Sequence, residues 1–140
     1  MNFEQDYLPK LGLRAAGFHE IFRLLRKRFH EKGPLVIVET GCVRDAQSWE
    51  GDGNSTVMFD AFARDTGSRF ISIDVNPKHC ALAKELCPQT DVLCGNSIPI
   101  LYRLRERLEL GGVLTTGILF GSRHVIHVVL ERLGQVEKDR

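Results

Sequence analysis

Leu35-Val36-Ile37-Val38-Glu39-Thr40-Gly41 sets four apolar residues in a row before an acid, a hydroxyl and a glycine. A short apolar run bounded by turn residues reads as a buried strand, here over 35–39. A polar loop follows over 40–54, and then a helical pattern over about 55–66. A second apolar run, Phe70-Ile71-Ser72-Ile73, ends in Asp74. Strand, glycine turn, helix, strand, acid is the order of parts in a nucleotide-binding βαβ unit. The glycine lets backbone come close to a ligand, the helix start offers free N–H groups, and the terminal acid accepts hydrogen bonds from ribose hydroxyls.

Outward from this stretch the pattern repeats. On its N-terminal side, Phe18, Ile21, Phe22, Leu25 and Phe29 recur at helical spacing and predict an amphipathic helix over 14–32, closed by Gly33-Pro34. Its basic residues, Arg23, Arg26, Lys27, Arg28 and Lys32, read as a solvated face. In the 55–66 helix, Ser55 or Thr56 is the expected cap, and Gly67-Ser68 ends it. After the strand 69–74, Asn76-Pro77 opens a helix through Leu86 and Pro88 closes it. Thr90 to Cys94 is a third strand, Gly95-Asn96 a turn, and Ser97 the cap of a helix carrying Ile98, Leu101, Leu104 and Leu108. Val113 to Phe120 then reads as a strand and Ser122 to Leu133 as a last helix. Three βα units in a row predict an α/β fold, a three-layer, mostly parallel sheet with helices on both faces.

Composition bounds the rest. With 140 residues, 43% of them hydrophobic and 26% charged, the chain suffices for one globular domain with a core. A net charge of +1 gives no pull toward nucleic acid or an anionic membrane. The apolar runs are too short to span a bilayer, and Met1-Asn2-Phe3-Glu4-Gln5-Asp6 does not begin like a signal peptide, so a cytoplasmic location is expected. Cys42, Cys80, Cys87 and Cys94 form no Cys-x-x-Cys pair, and Cys80 and Cys87 read as small buried apolar side chains of one helix. His124 and His127, without a nearby carboxylate motif, read as packed or surface residues and not as a metal pair. Trp49 either folds over a ligand or packs the loop down.

The glycine spacing separates two cofactor classes. Dinucleotide enzymes place Gly-x-Gly-x-x-Gly in a tight turn directly after the first strand. Here one glycine stands there, and Gly51-Asp52-Gly53 comes about ten residues later. A pyrophosphate cradle, and with it an NAD-dependent oxidoreductase, is disfavoured. Four pieces in order carry a resemblance instead. They are Val36-Ile37-Val38-Glu39-Thr40-Gly41, Trp49-Glu50-Gly51-Asp52-Gly53-Asn54-Ser55-Thr56, Ile71-Ser72-Ile73-Asp74-Val75-Asn76-Pro77, and Val92-Leu93-Cys94-Gly95-Asn96-Ser97. Over residues 14–108 the chain resembles S-adenosylmethionine-dependent methyltransferases of the class I Rossmann-like fold. The insert looks most like small-molecule or sugar O-methyltransferases.

The resemblance implies one Rossmann-like domain over 1–140 with S-adenosylmethionine as cofactor and a small-molecule hydroxyl as methyl acceptor. It implies that Glu39 orients the loop and faces the cofactor's amino group, and that Gly41 lies against the methionine portion. Gly53, Asn54 and Ser55 are to bring helix N–H groups to the carboxylate. Asp74 is to grip the ribose diol, Val75 and Asn76 to flank the adenine, and Asn96 to meet its amino group. The alternative for Glu39 and Asp74 is pairing with Arg44 or Arg69. No catalytic or metal-binding residue is named, because no Asp or Glu occurs from Leu110 through Leu130, where the family's fourth strand ends in an acid. Leu108-Glu109-Leu110-Gly111-Gly112-Val113-Leu114 instead resembles the family's turn into its fifth strand. The fold is thus expected to be shortened relative to the full methyltransferase, with an open sheet edge that a second copy would cover. A non-catalytic cofactor-binding or assembly module is the alternative reading.

Overall fold

The computed structural model describes residues 1–51 and 54–107, and the backbone of 118–120 and 124–126. A short helix α1 (Phe3–Asp6) and two single 3-10 turns lead into the long helix α2 (Ala15–Lys32). There follow β1 (Val36–Thr40), α3 (Ser55–Thr66), β2 (Arg69–Asp74), α4 (Pro77–Leu86), β3 (Asp91–Cys94) and α5 (Ser97–Arg107). The three strands form a parallel sheet in the order β1-β2-β3. A separate antiparallel pair joins β4 (Ile118–Phe120) to β5 (His124–Ile126).

The period-2 alternation of the strands builds two apolar layers. Leu35, Ile37 and Phe70 point to one face, where they meet Phe18, Phe22 and Leu25 of α2 and Met58, Phe59 and Phe62 of α3. Val36, Val38, Ile71 and Ile73 point to the other, where they meet Ile100 and Leu104 of α5. Helix α4 covers the first face further along, with Ala83 fully buried beside Val43, Cys42 and Val92. The strands are buried on both faces, which is why they read as unbroken apolar runs. The observed architecture is α/β with helices on both sides of a parallel sheet.

The N-terminal residues, for which the sequence pattern suggested nothing, belong to this core. Phe3 and Leu11 are fully buried, and the Phe3 ring stacks on Phe22 with centroids 4.2 Å apart. Burying one such ring is worth about 2 kcal/mol. Trp49 stacks on Tyr7 at 5.7 Å under the ammonium of Lys10, and Arg14 donates to the carbonyls of Trp49 and Gly51. The tryptophan therefore packs the loop down onto the N-terminal segment. The basic face of α2 is solvated and lined with acids, as in Arg23–Glu20 and Arg26–Glu4.

Two expectations need correction. The 55–66 helix was expected to be capped by Ser55 or Thr56. Asn54 holds the N-cap position without a side-chain cap, because Glu39 takes both hydroxyls. The helix expected over 122–133 is contradicted at His124–Ile126, which is strand β5. Val125, Ile126, Val128 and Val129 are β-branched, and a short apolar run of this kind fits strand as well as helix. Residues 108–117 and 127–140 lie outside the described residues, including the Gly111-Gly112 turn, His127 and most of the two expected C-terminal elements.

Candidate functional site

Parallel strands end together, so β1, β2 and β3 present their carboxyl ends along one edge of the sheet. Thr40 sits opposite Ile73, and Asp74 opposite Cys94. The ladder runs one residue into each loop, with Gly41 N–H donating to Ile73 C=O at 2.7 Å and Gly95 N–H to Asp74 C=O at 2.8 Å. Gly41 adopts φ +93°, a left-handed conformation that favours glycine, and so turns the chain sharply at the strand end. This edge is where open α/β sheets bind ligands. It brings together Glu39, Gly41, Asp74, Val75, Asn76 and Asn96, and Ser55, which follows Asn54 at the start of α3, joins Glu39. Gly53 lies outside the described residues.

Glu39 is fully buried and bonded within the protein. Its carboxylate accepts hydrogen bonds from the hydroxyls of Ser55, of Thr56 at 2.8 Å and of Ser72 at 2.8 Å. Thr56 Oγ1 in turn accepts the Val43 N–H at 2.8 Å, and Ser72 Oγ contacts Cys42 Sγ at 3.2 Å. One acid thus ties β1, β2, α3 and the loop after β1 together. Burial pushes its carboxyl up from 4.5 to about 7, against the three hydroxyls that favour the charge, and the negative charge of Asp74 adds to the rise.

Asp74 stands at the same place on the next strand in a different setting. Its Oδ1 accepts the Asn76 N–H at 2.7 Å; its Oδ2 accepts the Cys42 N–H at 2.9 Å and faces His79 Nδ1 at 3.2 Å. Burial works against the charge, but the Asn76 and Cys42 amides and then the His79 ring outweigh it and hold the carboxyl below its ordinary value. Of the two arginines expected as alternative partners, Arg69 pairs with Asp91 at 2.8 Å instead.

Asn76 caps α4 through its Oδ1, which accepts Lys78 N–H at 2.9 Å, while its Nδ2 meets His79 Nε2 at 3.3 Å. That leaves Nε2 as an acceptor and assigns the ring proton to Nδ1, pointed at Asp74. Asn96 is exposed and accepts Ile98 N–H at 3.0 Å, which opens α5. Val75, next to Asp74, is 73% exposed, and Ile98, just past Asn96, is 64% exposed.

Two features of the site escaped the sequence reading. His79 is the third residue of a helix that opens at Pro77, and side chains there lean back toward the preceding strand end. That spacing was the available signal. The other is the state of Asn54. Its side chain is fully buried, Nδ2 reaches Asp45 C=O at 3.4 Å, and Oδ1 receives no hydrogen bond from the described residues.

A groove of about 340 Å³ lies between β3 and α5, its lining including Val92, Leu93, Cys94, Ile100, Arg103 and Arg107 but not Asp74. Among the described residues no three His, Cys, Asp or Glu side chains are placed to hold a metal ion, and no helix is long and apolar enough to cross a membrane. Comparison with protein-family models, curated proteins and solved structures finds no match.

Proposed function

We propose that this chain is a Rossmann-like domain that binds S-adenosylmethionine, or its demethylated product, at the carboxyl edge of the sheet and serves methyl transfer to a hydroxyl of a small molecule. The observation that carries this reading is Asn54. A buried amide oxygen without a donor costs about 1–3 kcal/mol, and Asn54 Oδ1, which has none among the described residues, is suited to a ligand that donates. It sits beside the first turn of a twelve-residue helix that has no side-chain cap. An acceptor next to the N–H groups of a helix start suits a group with an ammonium and a carboxylate on adjacent carbons. The methionine end of S-adenosylmethionine is such a group.

The remaining residues fit the other end of that molecule. Asp74 uses three of about four carboxylate acceptor positions on protein donors, which leaves room for one ribose hydroxyl, and a second if His79 yields. Val75, after β2, and Ile98, in the first turn of α5, offer exposed apolar surface for a purine face, with Asn76 and Asn96 beside them. Glu39, bonded on every side by hydroxyls, builds the floor of the site and holds α3 in place without reaching the ligand. When bound, the cofactor supplies an electrophilic sulfonium methyl, and the protein's task is to align an acceptor with it.

Titration calorimetry with S-adenosylmethionine, its demethylated product and NAD tests the reading. Micromolar binding of the first two and none of NAD is expected, with at least a tenfold loss in Asp74→Ala. Unchanged binding in that variant sinks the ribose assignment, and NAD binding sinks the cofactor class. A methyl-transfer assay on hydroxyl acceptors then tests the reaction.

A further inference from the structure

Three of the four cysteines converge on the same edge from three separate segments, Cys42 after β1, Cys80 in the first turn of α4 and Cys94 at the end of β3. Partners in a parallel ladder point to the same face. Val92, opposite Ser72, packs with Leu82, Ala83 and Leu86 of α4, so Cys94, two residues on and opposite Asp74, also faces the α4 side. Cys80 points back at it. Its thiol donates to Asp74 C=O at 3.3 Å, and the same carbonyl accepts the N–H of Gly95, the residue after Cys94, at 2.8 Å. One carbonyl thus gathers the Cys80 thiol and the backbone at Cys94. Burial, and after it the neighbouring Cys94 thiol, pushes Cys80 up to about 11, while the Cys42 thiol, also beside it, acts the other way. Of the four cysteines only Cys94 is exposed, and Cys80 is buried behind it. An accessible thiol backed by a shielded one is the arrangement of a redox-responsive pair.

We propose that Cys94 and Cys80 are an oxidisable dithiol that a peroxide closes into a disulfide across the carboxyl edge of the sheet. The Cys94 thiolate attacks the O–O bond of the peroxide, takes one oxygen as a sulfenic acid, and the other oxygen leaves as water. The Cys80 sulfur then attacks the Cys94 sulfur, gives up its proton, and the sulfenic oxygen departs as a second water. The two sulfurs lose two electrons and two protons together, and the peroxide is reduced. The bridge removes the Cys80 hydrogen bond to Asp74 C=O and pins the start of α4 to the loop carrying Asn96. On the S-adenosylmethionine reading, to which this last consequence alone belongs, those are the two walls of the adenosine site.

Treating the full chain with hydrogen peroxide and mapping its disulfides by fragmentation mass spectrometry tests the pair. A predominant Cys80–Cys94 bridge, reversed by dithiothreitol, is expected. Cys94→Ser abolishes it, while Cys80→Ala leaves a sulfenic acid on Cys94 that dimedone traps. A predominant bridge through Cys42 or Cys87, or over-oxidation of Cys94 in the native chain without any bridge, overturns the proposal. The dithiol and disulfide forms should differ at least fivefold in affinity for S-adenosylmethionine. A mapped bridge with equal affinities overturns the gating. Binding by neither form strikes the cofactor reading and leaves the pair standing.

Discussion

Glu39 and Asp74 end adjacent strands at the same edge, yet the protein treats the two acids in opposite ways. The donors to Glu39 among the described residues are three hydroxyls, and burial lifts its carboxyl to about 7. Around Asp74 there are two backbone amides and an imidazole, and its carboxyl is held low despite partial burial. The difference lies in the donors. Hydroxyls rotate and can serve either protonation state, whereas fixed N–H groups serve the anion alone. Glu39, fully buried, is thereby a structural tie, and Asp74, its side chain still 9% exposed, a preorganised anion, the one that the proposed ligand would use.

Removing each acid is the strongest way to break this comparison. Glu39→Ala strands three hydroxyls in the core and opens a cavity, and should cost about 4 kcal/mol of stability in denaturant titration. Asp74→Ala leaves only partly exposed donors behind and should cost about 1 kcal/mol. Equal losses would mean that the two acids play the same part.

The pH dependence should separate them by sign. Glu39 has a folded value above its unfolded one, so the unfolded chain binds fewer protons between pH 4.5 and about 7, and stability falls as pH rises through that window. The fall amounts to about 3 kcal/mol. Asp74, with a lowered folded value, contributes stability that is present above its unfolded value of 3.8 and lost as pH falls below it. Glu39→Gln should abolish the fall between pH 4.5 and 7 and leave the acid limb intact. A native profile already flat over that window would show that Glu39 stays charged in the core.

Much of this is legible in the sequence. The strand and helix bounds from residue 15 to 94 follow from apolar period, Gly67, Pro77 and the Asn76 cap, which are local signals. Both acids were legible as strand-end carboxylates, but their opposite roles were not. Which donors surround an acid depends on α3 delivering Ser55 and Thr56 to β1, a tertiary event that also overrode the expected caps. His79 was missed for the same reason, since its partner is fixed only once α4 starts at Pro77. At the other end, the run from His124 fits two periods equally, and no local residue decides between them.

The smallest effect concerns His79, and it sharpens what Asp74 is for. The ring holds Oδ2 with an Nδ1–H donor at 3.2 Å and is itself held by Asn76. If the ring serves to aim a carboxylate that ligands use, His79→Ala should raise the Asp74 carboxyl slightly and weaken S-adenosylmethionine binding about threefold, under 1 kcal/mol. His79→Asn, which keeps a donor, should recover part of that loss. If the ring instead competes with the ribose for Oδ2, removing it frees an acceptor position and binding tightens. The two outcomes differ in sign, so calorimetry on this one variant decides whether the imidazole orients the anion or occupies it.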